Sequence, residues 1–192
     1  MRNILISFIS KFDSLTNEEI EIIADNIKVQ SVKKGTVLVK EGQICEVCYF
    51  VLKGCLRQYV IVDGTEKTTQ FYTEEQAAVL FSSYLNQLES DSYLSCVEDS
   101  VLIVGETGRE TKMYKEFPKL EQITRMMMEQ NLGKSQDEFT RFITNSPEER
   151  YLYLLKTRPE LFQRVPLNQL ASYIGVTPES FSRIRTRILK KN

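Results

Sequence analysis

Glu179 and Arg183 stand four residues apart in the stretch Thr177-Pro178-Glu179-Ser180-Phe181-Ser182-Arg183-Ile184. On a helix that spacing puts both on one face, turned away from the face that carries Phe181 and Ile184. Arg183 can donate two hydrogen bonds to guanine O6 and N7, and Glu179 can accept one from cytosine N4, so together they can read neighbouring bases. Arg185, Arg187, Lys190 and Lys191 follow and are better placed for phosphates. Thr177, Ser180 and Ser182 complete the candidate DNA-contacting set. The plainer reading of the charges is a surface helix with an i,i+4 ion pair and a solvated basic end.

What must position these residues is a pair of crossed helices. Such a pair needs a small residue at the crossing, a glycine for the left-handed turn four residues later, and buried apolar residues on the second helix. Ala171, Gly175, Phe181 and Ile184 meet those needs in order, and Leu170, Ile174 and Val176 complete a small core. Thr177 is a good cap, and Pro178 suits the first helical position, where its missing N–H is not needed. Ion pairing alone accounts for none of these spacings, so a helix-turn-helix is the expectation.

The charge distribution agrees. The 192 residues sum to −1, but residues 147–192 carry nine Lys or Arg against four Glu, +5, which leaves −6 on the first 146. A basic C-terminal module for a polyanion and an acidic body for something else follow. With no histidine in the chain, His-based triads and the common zinc sites are excluded. No paired carboxylates, nucleophile–base pair or glycine-rich phosphate loop stands out, so an enzyme is not expected. The N-terminus lacks a signal-peptide pattern, and no stretch approaches the roughly 20 apolar residues of a membrane span. A cytoplasmic protein is expected. Four cysteines, Cys45, Cys48, Cys55 and Cys96, fit a reduced compartment.

Upstream, Thr16 and Glu19 form a capping box before the helical series Ile20, Ile23, Ala24, Ile27. From Val29 to about Ile103 short β-branched and aromatic runs are cut by Gly35, Gly42, Gly54 and Gly64, the texture of a sandwich or barrel. Asp63-Gly64 between two such runs predicts a tight hairpin. From Lys119 to Ile143 the apolar series Leu120, Ile123, Met127, Leu132, Phe139, Phe142, Ile143 predicts a long helix, read either as a core helix or as a dimer helix. Pro147-Glu148-Glu149-Arg150 opens a further helix through Leu155. The fold class is α+β, with a sensor domain over 1–117, a long dimerisation helix over 118–145 and an all-α helix-turn-helix domain over 146–192.

Nearly the whole chain resembles the Crp/Fnr family of transcription regulators, in particular the short forms found in Bacteroidetes. The resemblance is carried by Phe50-Val51-Leu52-Lys53-Gly54-Cys55-Leu56-Arg57, by Ser146-Pro147-Glu148-Glu149-Arg150-Tyr151 and, most specifically, by Leu170-Ala171-Ser172-Tyr173-Ile174-Gly175-Val176-Thr177-Pro178-Glu179. It implies an N-terminal cyclic-nucleotide-binding-like β-roll (a double-stranded β-helix, or jelly roll), a homodimer on duplex DNA, base reading by Glu179 and Arg183, and RNA polymerase as a further partner. Where the family has another Arg near the helix start this chain has Pro178, so the operator need not be the family's usual one. The sequence stops at Asn192, where longer members continue into a β-hairpin, so a full wing is not expected.

The sensor half departs from the cyclic-nucleotide pattern. Family members that bind the nucleotide carry a Gly-Glu pair for the ribose and, about ten residues on, an Arg for the cyclic phosphate. Val79 and Leu80 align with the pair, and Asp91 with the Arg. A carboxylate facing a phosphate repels it, and each lost charge-assisted bond to the anion is worth roughly 1.5–3 kcal/mol. Cyclic AMP bound in the usual manner is therefore not expected, and no cofactor is. The candidate effector pocket comprises Phe71, Val79, Leu80, Ser82, Ser83, Asp91, Ser92 and Tyr93, for an uncharged or cationic small molecule or for the protein's own side chains. Tyr72, Tyr84 and Tyr93 fall near this pocket, and core packing is the plainer reading of them. Cys45-x-x-Cys48 with Cys55 and Cys96 reaches the count of an iron-sulfur site, but the family's iron-sulfur members place their cysteines differently, and a buried strand cysteine is ordinarily a small hydrophobe. The rival reading of the whole chain is a small-molecule or redox sensor acting through protein partners rather than DNA.

Overall fold

The structure, a computed structural model, describes residues 1–12 and 14–190, and within them all side chains but those of residues 107–110. Helices α1 (Arg2–Ile9) and α2 (Asn17–Asn26) come first. The capping box at α2 forms as expected: the Thr16 hydroxyl accepts from the Glu19 N–H, and the Glu19 carboxylate accepts from the Thr16 N–H at 2.7 Å.

Strands β1 (Val29–Val32), β2 (Val37–Val39), β3 (Val47–Lys53), β4 (Leu56–Val62), β5 (Thr65–Tyr72) and β6 (Ala77–Ala78) follow, then helix α3 (Phe81–Asn86) and strands β7 (Tyr93–Cys96) and β8 (Ser100–Glu106). They make two antiparallel four-stranded sheets, ordered β1-β8-β3-β6 and β2-β7-β4-β5. Val32, Val51, Ala78 and Leu102 from the first meet Val39, Leu56 and Leu94 from the second in one buried cluster. This is the expected β-roll. At Asp63-Gly64 both residues have positive φ, 51° and 71°, which makes the two-residue turn joining β4 to β5. Arg57 on β4 is buried, and its Nε donates to the Thr68 hydroxyl across that hairpin at 2.9 Å.

Helix α4 (Thr107–Glu116) leads into α5 (Pro118–Thr144), the long helix, which begins with the proline that suits a first helical turn. The apolar series along α5 divides in two. Ile123 is buried and Leu120 and Met127 pack with α1 and α2 on the outer face of the first sheet, whereas Leu132, Phe139 and Ile143 are 61%, 67% and 65% exposed. The expected seam is therefore taken up over its first half by the chain's own sensor, and only its second half is uncovered.

Four more helices complete the chain: α6 (Pro147–Thr157), opened by a second capping box between Ser146 and Glu149, α7 (Leu161–Arg164), α8 (Leu167–Tyr173) and α9 (Pro178–Leu189). The short α4 and α7 were not expected from the sequence. Tyr151, Leu154, Leu161, Leu170, Phe181 and Ile184 form the core of this helical unit, and Cys55, Phe71 and Val97 of the β-roll belong to the same cluster. The two parts thus share one continuous apolar interface.

Candidate nucleic-acid interface and sensor cavity

Helices α8 and α9 form the expected helix-turn-helix. Ala171 is fully buried at the crossing, and Gly175 turns the chain with φ of +74°. A Cβ at Gly175 would come within 3.1 Å of the Phe142 ring of α5, so a side chain there is strained by conformation and must also push that ring aside. The Thr177 hydroxyl caps α9, accepting from the Ser180 N–H at 3.2 Å. Phe181, Ile184 and Ile188 face inward, and Glu179, Ser182, Arg183, Arg185 and Arg187 are exposed. The intended reading face is open.

Arg183 Nη2 donates to the Ser180 hydroxyl at 3.1 Å, which holds the guanidinium over the first turn of α9. The Glu179 carboxyl is kept below the usual carboxylate range, first by a hydrogen bond from its own backbone N–H, then by the Thr177 hydroxyl and the Arg183 charge. It is thus an acceptor at neutral pH, as a contact to an amino group requires. Arg187 differs from the expectation of a phosphate contact in that its Nη1 already donates to Glu148 Oε2 at 2.8 Å, tying α9 to the start of α6. Arg185 and Lys190 are exposed. Lys191 lies outside the described residues.

The expected effector residues do not come together. A cavity of about 560 Å³ opens between β5, β6 and α5, and of the eight candidates Val79 lines it. Phe71 faces the other way: neighbouring strand residues point to opposite faces, Tyr72 packs with the barrel core, and Phe71 instead meets Tyr173 edge-on with ring centroids 5.2 Å apart. Leu80 belongs to the barrel core, and Ser82 is exposed on α3. Ser83 is a buried pin, its hydroxyl accepting from the Cys45 N–H at 2.8 Å and donating to the Leu88 carbonyl at 2.6 Å. Asp91 is exposed and accepts from the Ser92 hydroxyl at 2.7 Å. Tyr93 stacks on Tyr59 at 4.9 Å.

The walls that sequence reading missed are Gln70 on β5 and, on α5, Arg125, Glu129, Leu132, Ser135 and Glu138, whereas Tyr72, placed near the pocket from the sequence, does line it. The α5 group recurs every three or four residues, a spacing that a helical projection would have gathered on one face, beside the exposed Phe139. Tyr72 donates to Gln58 Oε1 at 2.7 Å, and burial pushes its hydroxyl up to about 12, so it stays a neutral donor.

The cysteines do not assemble. Burial pushes the Cys55 thiol up to about 12 and the Cys96 thiol up to about 11, which disfavours the thiolate that metal binding and redox chemistry need. Among the described residues no group of three or more His, Cys, Asp or Glu is placed to hold a metal ion, and no helix is long and apolar enough to cross a membrane.

Residues 29–107 match the cyclic nucleotide-binding domain family. No curated protein matches the sequence. Among solved structures the chain resembles FixK2 from Bradyrhizobium japonicum, with 17% identity, a TM-score of 0.69, and 86% of this chain and 85% of that one covered. It also resembles the c-di-GMP responsive global regulator CLP of Xanthomonas campestris, at 14% identity and a TM-score of 0.70, over 92% and 93% of the two chains. A third is a transcriptional regulator of the Crp/Fnr family from Eubacterium rectale, at 19% identity and a TM-score of 0.65, over 93% and 86%. Over about nine tenths of its length the fold of this chain is that of the Crp/Fnr regulators.

Proposed function

We infer that the chain is a sequence-specific DNA-binding transcription regulator of the Crp/Fnr type, whose sensor takes an effector other than a cyclic nucleotide held in the usual manner. The observation that carries the first part is the open N-terminal face of α9, with Glu179 ionised and Arg183 oriented by Ser180, above a fully packed helix-turn-helix core. Arg183 and Glu179 read bases, with Thr177, Ser180 and Ser182 beside them. Arg185 and Lys190 contact phosphates, a role Arg187 takes only by leaving Glu148.

The functional division follows the three sequence segments, 1–117, 118–145 and 146–192. Two copies pair through the exposed half of α5, where Leu132, Phe139 and Ile143 form one uncovered apolar stripe. A two-fold pair presents two α9 helices to successive major grooves about one DNA turn apart. The cavity beside α5 is lined by Arg125, Glu129 and Gln70 with Val79 and Leu132, a mixture of charge, hydrogen-bonding groups and apolar surface. Asp91, aligned with the family's phosphate-binding Arg, does not line it.

The test is binding of the purified protein to fragments of its own upstream region at two salt concentrations, with Arg183→Ala as control. Tight binding that weakens with salt and loses sequence preference in the variant supports the reading. Variant and parent binding alike, with the same preference, overturns the assignment of Arg183. A thermal shift with cyclic AMP and cyclic GMP tests the sensor, and stabilisation by either refutes the departure from nucleotide binding.

A further inference from the structure

A second cavity, of about 510 Å³, lies where the β-roll, α5 and the helix-turn-helix unit meet. Gln70 contributes from β5, Glu138 and Phe142 from α5, Arg150 and Tyr153 from α6, and Tyr173 from α8. Its volume is well above the roughly 150 Å³ that suffices for a benzene-sized guest.

Arg150 is the unusual group in it. The guanidinium lies over the Phe142 ring at 4.4 Å, and Nη1 donates to the Phe142 carbonyl at 3.3 Å. Its Nε is buried and has no hydrogen-bond partner among the described residues. A cationic donor without an acceptor is costly, and a guanidinium pairs with an oxyanion through the N–H groups that the cavity leaves open. Arg141, also in the lining, lies over Tyr153 at 4.6 Å, so the two guanidinium groups are held in place by aromatic faces. A third, Arg158, is already used, donating to the Phe71 carbonyl through both Nη atoms at 3.2 Å. The one carboxylate in the lining, Glu138, accepts from Gln70 Nε2 and from the Tyr173 hydroxyl, each at 3.3 Å. Three cations against one occupied carboxylate favour a negative guest.

We propose that this cavity binds a small aromatic anion, its carboxylate or phosphate against the guanidinium groups of Arg150 and Arg141 and its ring beside Tyr153 and Tyr173. Its walls come from both the sensor and the reader, so an occupant ties the two together. The site is distinct in chemistry from the cavity beside Arg125 and Glu129, although Gln70, Tyr72, Ser135 and Glu138 line both.

The experiment follows the Arg150 Nε–H resonance in ¹⁵N-labelled protein, assigned as the signal that disappears in Arg150→Lys. Titrations use phenyl phosphate, benzoate and inorganic phosphate. Saturable movement of that resonance with phenyl phosphate or benzoate, a rise in melting temperature at saturation, and loss of that rise in Arg150→Lys are expected. Whichever aromatic anion binds tighter identifies the acidic group. No saturable movement with either overturns the proposal, and so does equal movement with inorganic phosphate, which would mark an adventitious ion. Should Arg150→Lys fail to fold, the Nε–H signal is assigned by through-bond correlation to the Arg150 backbone and Thr157→Trp decides: it adds bulk at an exposed part of the lining and leaves Arg150 intact, so phenyl phosphate binding must fall while the Nε–H signal stays.

Discussion

The Ser172 hydroxyl on α8 accepts a hydrogen bond from the Thr68 N–H on β5 at 2.8 Å and donates one to the Glu66 carbonyl at 3.1 Å. β5 is the outer strand of its sheet, and one hydroxyl here does for its free edge what a neighbouring strand would do. The first helix of the helix-turn-helix is thereby fastened to the sensor through backbone groups. Ser172→Ala leaves a partly buried N–H without an acceptor, which costs about 1 kcal/mol. The expected result is a lower urea midpoint together with faster hydrogen exchange at Thr68 than at amides inside the sheet. Unchanged exchange at Thr68 would show that the edge is not held this way.

Arg164 gives the same junction a pH dependence. It donates through Nη1 and Nη2 to Glu74 at 2.9 and 2.8 Å and through Nε to Glu98 at 2.9 Å. Burial acts to raise the Glu74 carboxyl, but the bonds from Arg164 and from the Gly54 N–H outweigh it and hold the group below its ordinary value of 4.5. A depressed carboxylate adds stability that is present above its unfolded value and is lost as pH falls through the folded one. Stability should therefore decline below about pH 4.5, and Glu74→Gln should flatten that decline while lowering stability at pH 7. Glu74 is 40% exposed, so the effect at neutral pH is modest, under about 1 kcal/mol. Urea melts of both proteins at pH 3.5, 5 and 7 measure it.

At Gly175 the backbone and a neighbour act together. A side chain there meets the left-handed conformation, worth roughly 1–2 kcal/mol, and the Phe142 ring 3.1 Å away. Gly175→Ala should lose at least that much stability and, because Phe142 sits on α5, should displace the reader relative to the long helix. Phe142→Leu, with a smaller side chain, should return part of the loss in the double variant. Strict additivity of the two changes would mean that they do not communicate.

How far the sequence exposed all this depends on the distance over which each feature is specified. The helix-turn-helix was legible because Ala171, Gly175, Thr177, Pro178, Phe181 and Ile184 lie within fourteen residues and each answers a local demand of backbone or packing. The Asp63-Gly64 turn and the Thr16–Glu19 box are local for the same reason. The cavities are not local: one joins Gln70 and Val79 to Arg125 and Ser135, the other joins Gln70 to Arg150 and Tyr173. Phe71 was assigned to a pocket for its type, whereas its face of β5 is fixed by Tyr72 beside it. The long helix was visible, but which half of its seam stays uncovered depends on α1 and α2 a hundred residues earlier.

On DNA, Arg183 and Arg185 should separate by kind of loss. With Arg183 in the proposed base-reading role, Arg183→Ala should cost about 1–3 kcal/mol on the operator and little on unrelated duplex. With Arg185 in the proposed phosphate-contacting role, Arg185→Ala should weaken both alike and reduce the slope of log affinity against log salt by about one. Titrations of each variant on operator and unrelated duplex at several salt concentrations measure both quantities. A loss from Arg183→Ala shared equally by both duplexes would move Arg183 to the phosphate class.

The exposed half of α5 carries the last prediction. Leu132, Phe139 and Ile143 fall seven and four residues apart, one stripe of a helix, and all three are more than half exposed while Ile123 on the same helix is buried. Large apolar side chains in a continuous exposed row gain by covering one another, and a second copy offers the matching stripe by two-fold symmetry. Phe139→Glu places a charge in the middle of that stripe without touching the buried half, so the fold and melting of the sensor should survive. Sedimentation should show a dimer for the parent and a monomer for the variant. The variant should still bind a half-operator as the parent does but lose the extra affinity for the full operator, since one reader is no longer tethered beside the other. A parent that sediments as a monomer at micromolar concentration would leave the stripe without this partner and the proposed pairing refuted.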